Sequence, residues 1–492
     1  MRLNTVNICA DALIGVLSGT DALVDRQEKI AASVESADRA IGTWVRGFAK
    51  SGAVDALMLN TNYHVSYIPC RTWDTAWRKL DGTRVTAEAL EAIPHWSSRF
   101  VRAHEMGIEP YAIALKHARE NGMQCWFSVR MNEFHYLRWP ETSATLWLEH
   151  PEYRQAADLP FDYRHEEVRR YYVDYIAELC RDYDIDGVEL DMIRRFEPNA
   201  DDSLRAAVTE CVRAVRRVVD EISREKGKRI LISARVYGLL EAARDHACEA
   251  DLWAREGLVD GLTLSNFHTP CDYNLPVGQW RRLIGRDEVF IQAGCDFGNF
   301  GIMWNDVRTR VLRQDTASLR GFADAALNRG ADGVYMFNLN TPDVLDFSAL
   351  SSREKILSGE RRYILTKHDP GADYQLPVSL DGAWHERALN AGSGGENAVV
   401  RVGVDAVPES LEVRVNGVDA RFIGRMQPVN GRGYIEGVVW NDYARRIVDT
   451  LPEAAAYVAE FALPNVAAGA ARVELRGLGG AVTWLEIAVG AR

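Results

Sequence analysis

The feature that most constrains this chain is a recurrence: short apolar runs, each the length of one buried strand, alternate with longer stretches of helical period. The runs occupy residues 3–9, 54–60, 124–130, 187–192, 230–236, 261–266, 289–295 and 333–339. Helical patterns lie between them at 35–50, 111–121, 165–181, 203–226, 277–284 and 318–328, with a less regular stretch near 241–256. Three connections repeat one phrase, a polar break closed by Asp-Gly, at Asp186-Gly187, Asp260-Gly261 and Asp332-Gly333. Such a step makes a tight lead into a parallel strand. Eight strands alternating with helices predict a closed (β/α)8 TIM barrel over 1–345. An open doubly wound sheet would show a glycine-rich phosphate turn after an early strand, and the sequence has none.

Extra length follows the second and third strands, at 63–108 and 131–163. Both inserts leave strand C-terminal ends, where barrels build their sites, so they are expected to shape a cleft. From about Tyr374 the texture changes. Leu411-Glu-Val-Arg-Val-Asn-Gly-Val alternates at period two and closes on Asn-Gly, 456–461 and 471–478 repeat the pattern, and 482–489 makes a last strand. Residues 374–492 are therefore expected to form a small antiparallel β-sandwich, with 346–373 as closing helix and linker.

Composition excludes more than it names. The 492 residues carry a net charge of −12, which leaves no basic footprint for nucleic acid or an anionic membrane surface. No apolar run reaches the length of a bilayer span. The first residues lack the apolar core of a secretion signal, and the eight cysteines are scattered without a Cys-x-x-Cys pair. Buried free thiols in a cytoplasmic protein are the expectation. Nothing in the sequence bears on oligomeric state.

Within the fourth run, Asp186-Gly-Val-Glu-Leu-Asp-Met-Ile-Arg-Arg195 carries two carboxylates at alternate positions. Alternation puts Gly187, Glu189 and Asp191 on one strand face and Val188, Leu190 and Met192 on the other. The apolar set suits the helix layer, so Glu189 and Asp191 are expected inside the barrel, with Asp191 at the C-terminal rim where barrels do chemistry. Carboxylates there are costly to bury unless paired. Arg130 and Arg235, ending the flanking third and fifth strands, are the expected partners. A buried ion network explains Glu189 as well as catalysis does; the rim position favours chemistry for Asp191.

The stretch 164–195, a long helix followed by Asp-Gly-Val-Glu-Leu-Asp, resembles the fourth βα unit of glycoside hydrolase-type barrels. It is most similar to the bacterial "family 10-like" glycosyl hydrolases. The resemblance extends to Val129-Arg-Met-Asn-Glu-Phe-His135 and to 266–280, where Leu275-Pro-Val-Gly-Gln-Trp follows the sixth strand. It implies a glycosidase acting on an oligosaccharide or glycoside, with no cofactor or metal and with an aspartate after the fourth strand as nucleophile. The motif is also similar to the chitinase-type pattern Asp-Gly-hydrophobic-Asp-hydrophobic-Asp-aromatic-Glu. Here Ile193 stands in the slot of the acid glutamate, which argues against substrate-assisted chitinase chemistry.

Glycoside hydrolysis needs two carboxyl groups across the scissile bond. Glu189 and Asp191 share one strand face and do not straddle a substrate, so the second carboxyl should come from another loop. Asp272 after the sixth strand is the first candidate, by analogy with barrels that carry a strand-four nucleophile. Asp296 at the rim of the seventh strand and Glu133 after the third are the reserves. Amide and imidazole groups just past strand ends suit sugar hydroxyls, which both donate and accept; these are Asn132, His135, Asn266, His268, Asn338 and Asn340. Trp73, Trp139 and Trp304 are candidate stacking platforms. For any single one of these, loop packing is as good an explanation.

Two rival readings differ in class. A non-catalytic carbohydrate-binding barrel would keep the amides and aromatics without paired carboxyls. A metal-assisted hydrolase or isomerase barrel would draw on His135, His268 and Asp191. The first strand, however, lacks His-x-His, and a zinc helix motif, a Walker loop and a Gly-x-Ser-x-Gly elbow are missing.

Overall fold

The computed structural model describes residues 3–18, 33–91, 96–133, 139–156, 159–193, 198–266, 271–296, 298–300, 311–339, 345–365, 376–424, 427–428 and 457–490, and singly 135, 137, 196 and 342. The strands of the first region are β1 (Thr5–Ile8), β2 (Ala56–Asn60), β3 (Gln124–Arg130), β4 (Gly187–Asp191), β5 (Leu231–Tyr237), β6 (Gly261–Ser265) and β7 (Phe290–Cys295). A short antiparallel pair, β8 (Gly298–Phe300) with β9 (Val311–Arg313), precedes β10 (Gly333–Phe337). All but β8 and β9 close into a parallel barrel, in the order β1-β10-β7-β6-β5-β4-β3-β2. Each barrel strand falls inside an expected run, β5 alone reaching past its end to Tyr237. The closed barrel is the fold that the resemblance implied.

Alternation sorts the two faces of each strand. Phe127, Val129, Val188, Leu190, Ile232 and Leu262 pack outward under the helices. Leu3, Met58, Trp126, Phe290, Tyr335 and Phe337 form a separate cluster inside the barrel. Trp126 and Phe290 meet edge to face there, centroids 6.2 Å apart. Trp126 fits because its register partner is Gly187, where a Cβ would run into the indole ring. At Gly187 and Gly261 the glycine of the Asp-Gly phrase is thus room for a neighbour's side chain, and at Gly333 for the Leu3 backbone.

The aspartate of the phrase has its own task. Asp186 Oδ2 accepts the Cys125 N–H at 2.8 Å, Asp260 Oδ2 that of Ile232 at 2.8 Å, and Asp332 Oδ2 that of Ile291 at 2.8 Å. Asp55, before β2, does the same for Asn4 at 2.7 Å. Each carboxylate satisfies an amide at the start of the strand beside it, which helps pin the register of β2 on β1, β4 on β3, β6 on β5 and β10 on β7.

The two long inserts are fastened to each other. Asp74 accepts from the Thr145 N–H at 2.8 Å and the Thr145 hydroxyl at 2.6 Å. Burial pushes the His64 imidazole down to about 3, and the neutral ring accepts the Ala144 N–H at 2.9 Å through Nδ1. The inserts therefore form one fixed wall on the side of the mouth above β2 and β3.

The second region is antiparallel and is organised by one long strand. It comprises β11 (Arg361–Leu365), β12 (Val378–Asp381), β13 (His385–Asn390), β14 (Gly395–Val404), β15 (Ser410–Val415), the short β16 (Val418–Asp419), β17 (Arg421–Phe422) and β18 (Gln427–Pro428), then β19 (Tyr457–Val466) and β20 (Ala470–Val489). The first half of β20 pairs with β13 and β15; its second half pairs with β11 and β14, and β14 pairs on with β19. Gly479 and Gly480, at φ 84° and 75°, let the chain bend between the halves. The runs 471–478 and 482–489, expected as two strands, are this one bent strand. A further difference lies at 361–365, inside the span expected as closing helix and linker: it is β11, a member of the sheet. Among the described residues no helix is long and apolar enough to cross a membrane. All eight cysteines are buried and unbridged.

Candidate active site

The C-terminal mouth of the barrel collects charge. Register places Arg130 of β3, Asp191 of β4 and Arg235 of β5 side by side, with Ser128, Glu189 and Ser233 one layer deeper. Asp191 is 2% exposed and Glu189 is wholly buried, so both point inward as alternation requires. Arg235 Nη1 lies 3.4 Å from Asp191 Oδ2, and its Nη2 donates to the Ser265 hydroxyl at 3.2 Å. The guanidinium reaches across the lumen to lie 4.0 Å from the centroid of the Phe337 ring. The Ile193 N–H donates to Asp191 Oδ1 at 3.2 Å.

Glu189 is held differently. Its Oε1 accepts from the Ser128 hydroxyl at 2.8 Å and the Tyr335 hydroxyl at 2.7 Å, while Oε2 has no hydrogen-bond partner. Burial first, then the charge of Asp191, push the Glu189 carboxyl up to about 7, against the pull of Arg235 and the two hydroxyls.

Arg130 departs from expectation. It pairs with neither strand-four carboxylate; Nη1 donates to Glu133 Oε2 at 2.6 Å, three residues along its own chain. Its charge still acts on Asp191 through space. Nη2 points to Cys9 Sγ at 3.3 Å, and the guanidinium carbon sits 3.9 Å from the centroid of the Tyr63 ring. Glu133 Oε1 binds the His135 imidazole through Nδ1, so Arg130, Glu133 and His135 make one file. Only His135 reaches appreciably outward, its side chain 23% exposed.

The remaining expected residues separate. Asp296, 6% exposed at the end of β7, acts electrostatically on Arg235 and so belongs to the mouth. Asp272 accepts the Asn274 N–H at 2.7 Å and acts on Arg329. Asn274 itself binds Ala388 and Asn390 of β13. Those contacts tie Asp272 to the junction with the antiparallel sheet, through a local turn that any Asx residue can make. Asn132 is buried and donates to the Phe161 carbonyl at 3.2 Å. Asn266 is half-buried beyond β6. Asn338 follows β10 with its Oδ1 3.0 Å from Cys9 Sγ. Trp73 is not an open platform: it is buried and stacked on Tyr171 and Tyr175. Trp139 is half-buried at the start of a 3-10 turn. His268, Asn340 and Trp304 lie outside the described residues.

Sequence reasoning missed Tyr335, Cys9 and Ser265. Tyr335 could have been found, since alternation from Gly333 puts it and Phe337 in the lumen. Cys9 and Ser265 carry no signal beyond strand-end position. Among the described residues no group of three or more His, Cys, Asp or Glu side chains is arranged to hold a metal ion.

No protein-family model matches the chain, and no curated protein matches it. Solved structures similar to it include α-L-fucosidase isoenzyme 2 from Paenibacillus thiaminolyticus, at 13% identity over 74% of this chain and 51% of that one, with a TM-score of 0.44. Another is the α-galactosidase AgaA from Geobacillus stearothermophilus, at 15% identity over 97% and 56% of the two chains, TM-score 0.39. A third is the glycoside hydrolase domain of PgaB (BpsB) from Bordetella bronchiseptica, at 12% identity over 69% and 95%, TM-score 0.40. The chain spans about half the length of the first two.

Proposed function

We propose that this protein is a glycoside hydrolase acting on an oligosaccharide or glycoside, with residues 1–345 as the catalytic unit and the antiparallel sheet as its buttress. The observation that carries the reading is the pairing of Asp191 with Arg235 at the rim of the fourth barrel strand, inside a mouth walled by two fastened inserts. An oxocarbenium-like transition state needs a fixed negative charge beside the anomeric carbon, and Asp191 supplies it. Glu189 does not touch substrate; lying one layer beneath Asp191 and carrying a proton near neutrality, it keeps a second full charge from standing directly under the first.

The second carboxyl is Asp296. β7 is three strands from β4 around the barrel, so Asp296 faces Asp191 across the mouth, as the two groups of a glycosidase must. Asp272 yields first place because its contacts lie toward the sheet, and Glu133 because both its oxygens are engaged by Arg130 and His135. The test is a panel of aryl glycosides and oligosaccharides offered to wild type, Asp191→Asn and Asp296→Asn. Turnover by wild type, lost in Asp191→Asn and spared in Asp296→Asn only for activated leaving groups, supports the reading. Saccharide binding without turnover would make the barrel a carbohydrate-binding one instead.

A further inference from the structure

Most amides around the mouth are spent on the chain itself. Asn62 donates to the carbonyls of Tyr63 and Arg130 and accepts the Arg130 N–H, and Asn132 donates to Phe161. Asn338 is different. It is 7% exposed, yet its Nδ2 has no hydrogen-bond partner. Its backbone stands at φ 57°, in the left-handed region that asparagine tolerates better than most residues with a side chain. Its Oδ1 accepts a hydrogen bond from the Cys9 thiol at 3.0 Å, and that thiol in turn accepts from Arg130 Nη2 at 3.3 Å. The amide is thus oriented from one side and unsatisfied on the other. A buried donor in that state marks a place where a partner is expected.

Position says which partner. In the ring of eight strands β10 is four steps from β4 in either direction, so Asn338 stands opposite Asp191. With Asp191 beside the anomeric carbon, the group opposite it meets the far edge of the same sugar ring. Resting on the glycosidase reading above, we propose that Asn338 reads a hydroxyl on the edge of the glycone away from the anomeric carbon, with Cys9 as the residue that holds its amide for the purpose. Nδ2–H donates to the hydroxyl oxygen, and a sugar lacking that oxygen leaves the donor unpaired.

The test uses 4-nitrophenyl glycosides of one sugar that wild type hydrolyses, compared with their 3-, 4- and 6-deoxy forms. In wild type one deoxygenation should cost roughly tenfold to a hundredfold in kcat/KM. In Asn338→Gly, which keeps the left-handed backbone and lacks the amide, that same deoxygenation should cost less than about twofold, the others being unchanged. Cys9→Ala should weaken the discrimination without abolishing turnover. Should Asn338→Gly not fold, the near-isosteric Asn338→Leu serves, since it carries neither donor nor acceptor and should lose the same preference. If either folded variant loses activity equally on every glycoside, Asn338 is a structural residue and the proposal falls alone. If wild type hydrolyses no glycoside offered, the glycosidase reading fails and this proposal with it.

Discussion

Two clusters of buried charge, one in the barrel mouth and one where the antiparallel sheet meets the barrel, are built from the same residue types to opposite ends. At the junction Glu486 is wholly buried, and Arg362 donates to it through Nε at 2.9 Å and Nη2 at 2.7 Å, with Arg401 adding a third contact. Arg362 also reaches Asp315, the cap of the barrel helix Thr316–Asn328. Burial alone would raise the Glu486 carboxyl, but the two guanidiniums more than offset it and hold it down at about 2. Asp324, on that same helix, binds Arg353, Arg361, Tyr363 and Ser393. In the mouth, by contrast, Glu189 keeps one oxygen unpaired and sits up near 7, and Arg235 keeps an unpaired Nε. Carboxylates engaged on both oxygens, as Glu486 and Asp324 are, weld two parts of a chain together, whereas one left with an unpartnered oxygen is stability withheld for something that binds.

The sharpest way to break this contrast is to remove one charge from each cluster. Asp191→Asn should lower turnover on any identified substrate by roughly 10³-fold or more and should cost less stability than the junction variant, because it breaks one 3.4 Å ion pair rather than stranding two arginines. Glu486→Ala should do the reverse. Breaking a buried pair and stranding two arginines costs about 3–5 kcal/mol, read as a lower denaturant midpoint, with kcat little changed in the fraction that remains folded. If Glu486→Ala kills activity in a fully folded protein, the division of labour is wrong.

Titration sharpens the same contrast, because the two glutamates carry opposite signs. Glu486 is depressed from 4.5 to about 2. Its stabilisation is therefore present above the unfolded value and lost as pH falls toward 2. The deficit of Glu486→Gln should shrink over that acid window. Glu189 is raised from 4.5 to about 7, so the native state holds a proton that the unfolded chain has released. Wild-type stability should fall as pH rises from about 4.5 to about 7 on this account. Glu189→Gln should match wild type near pH 4.5, then gain on it, by on the order of 1–3 kcal/mol above neutrality. Chemical denaturation at pH 4.5, 6 and 8 separates the two; parallel curves would remove Glu189 as the titrating group.

How far these clusters were legible in the sequence follows from their range. Period-two alternation needs only the strand itself, so it correctly turned Glu189, Asp191 and Arg235 into the lumen. It cannot say where a long flexible side chain ends, and Arg130 chose Glu133, three residues on, over the carboxylates beside it in register. The junction was not legible at all. Arg361–Leu365 is a short run beside a polar stretch, and only its pairing with the distant end of β20 makes it a strand. Asp272 was ambiguous for a related reason: a carboxylate after a strand can serve chemistry or cap its own turn, and only the fold showed that Asn274 ties it toward the sheet.

The smallest expected effect concerns whether the sheet shares the barrel's proposed task. A sheet that stacked saccharide on tryptophan would need an indole with an open face. Trp484 is 8% exposed, and Trp440 lies outside the described residues. Trp384 is half-buried, and its ring already carries two cations: Arg414 at 4.3 Å and Arg476 at 4.7 Å from the centroid. Each is held there by a carboxylate, Arg414 by Asp419 and Arg476 by Glu412. For a sugar to stack on Trp384 it would have to displace a guanidinium that is both attracted to the ring and ion-paired, in exchange for a contact of similar strength. Partly exposed cation–π pairs are worth about 0.5–1 kcal/mol each. Trp384→Ala should therefore cost on the order of 1 kcal/mol of stability and leave mobility in native gels cast with soluble polysaccharides where wild type has it. A variant that loses retardation shown by wild type would give the sheet a binding role, and the junction cluster would then be holding a second recognition surface in place rather than buttressing the first.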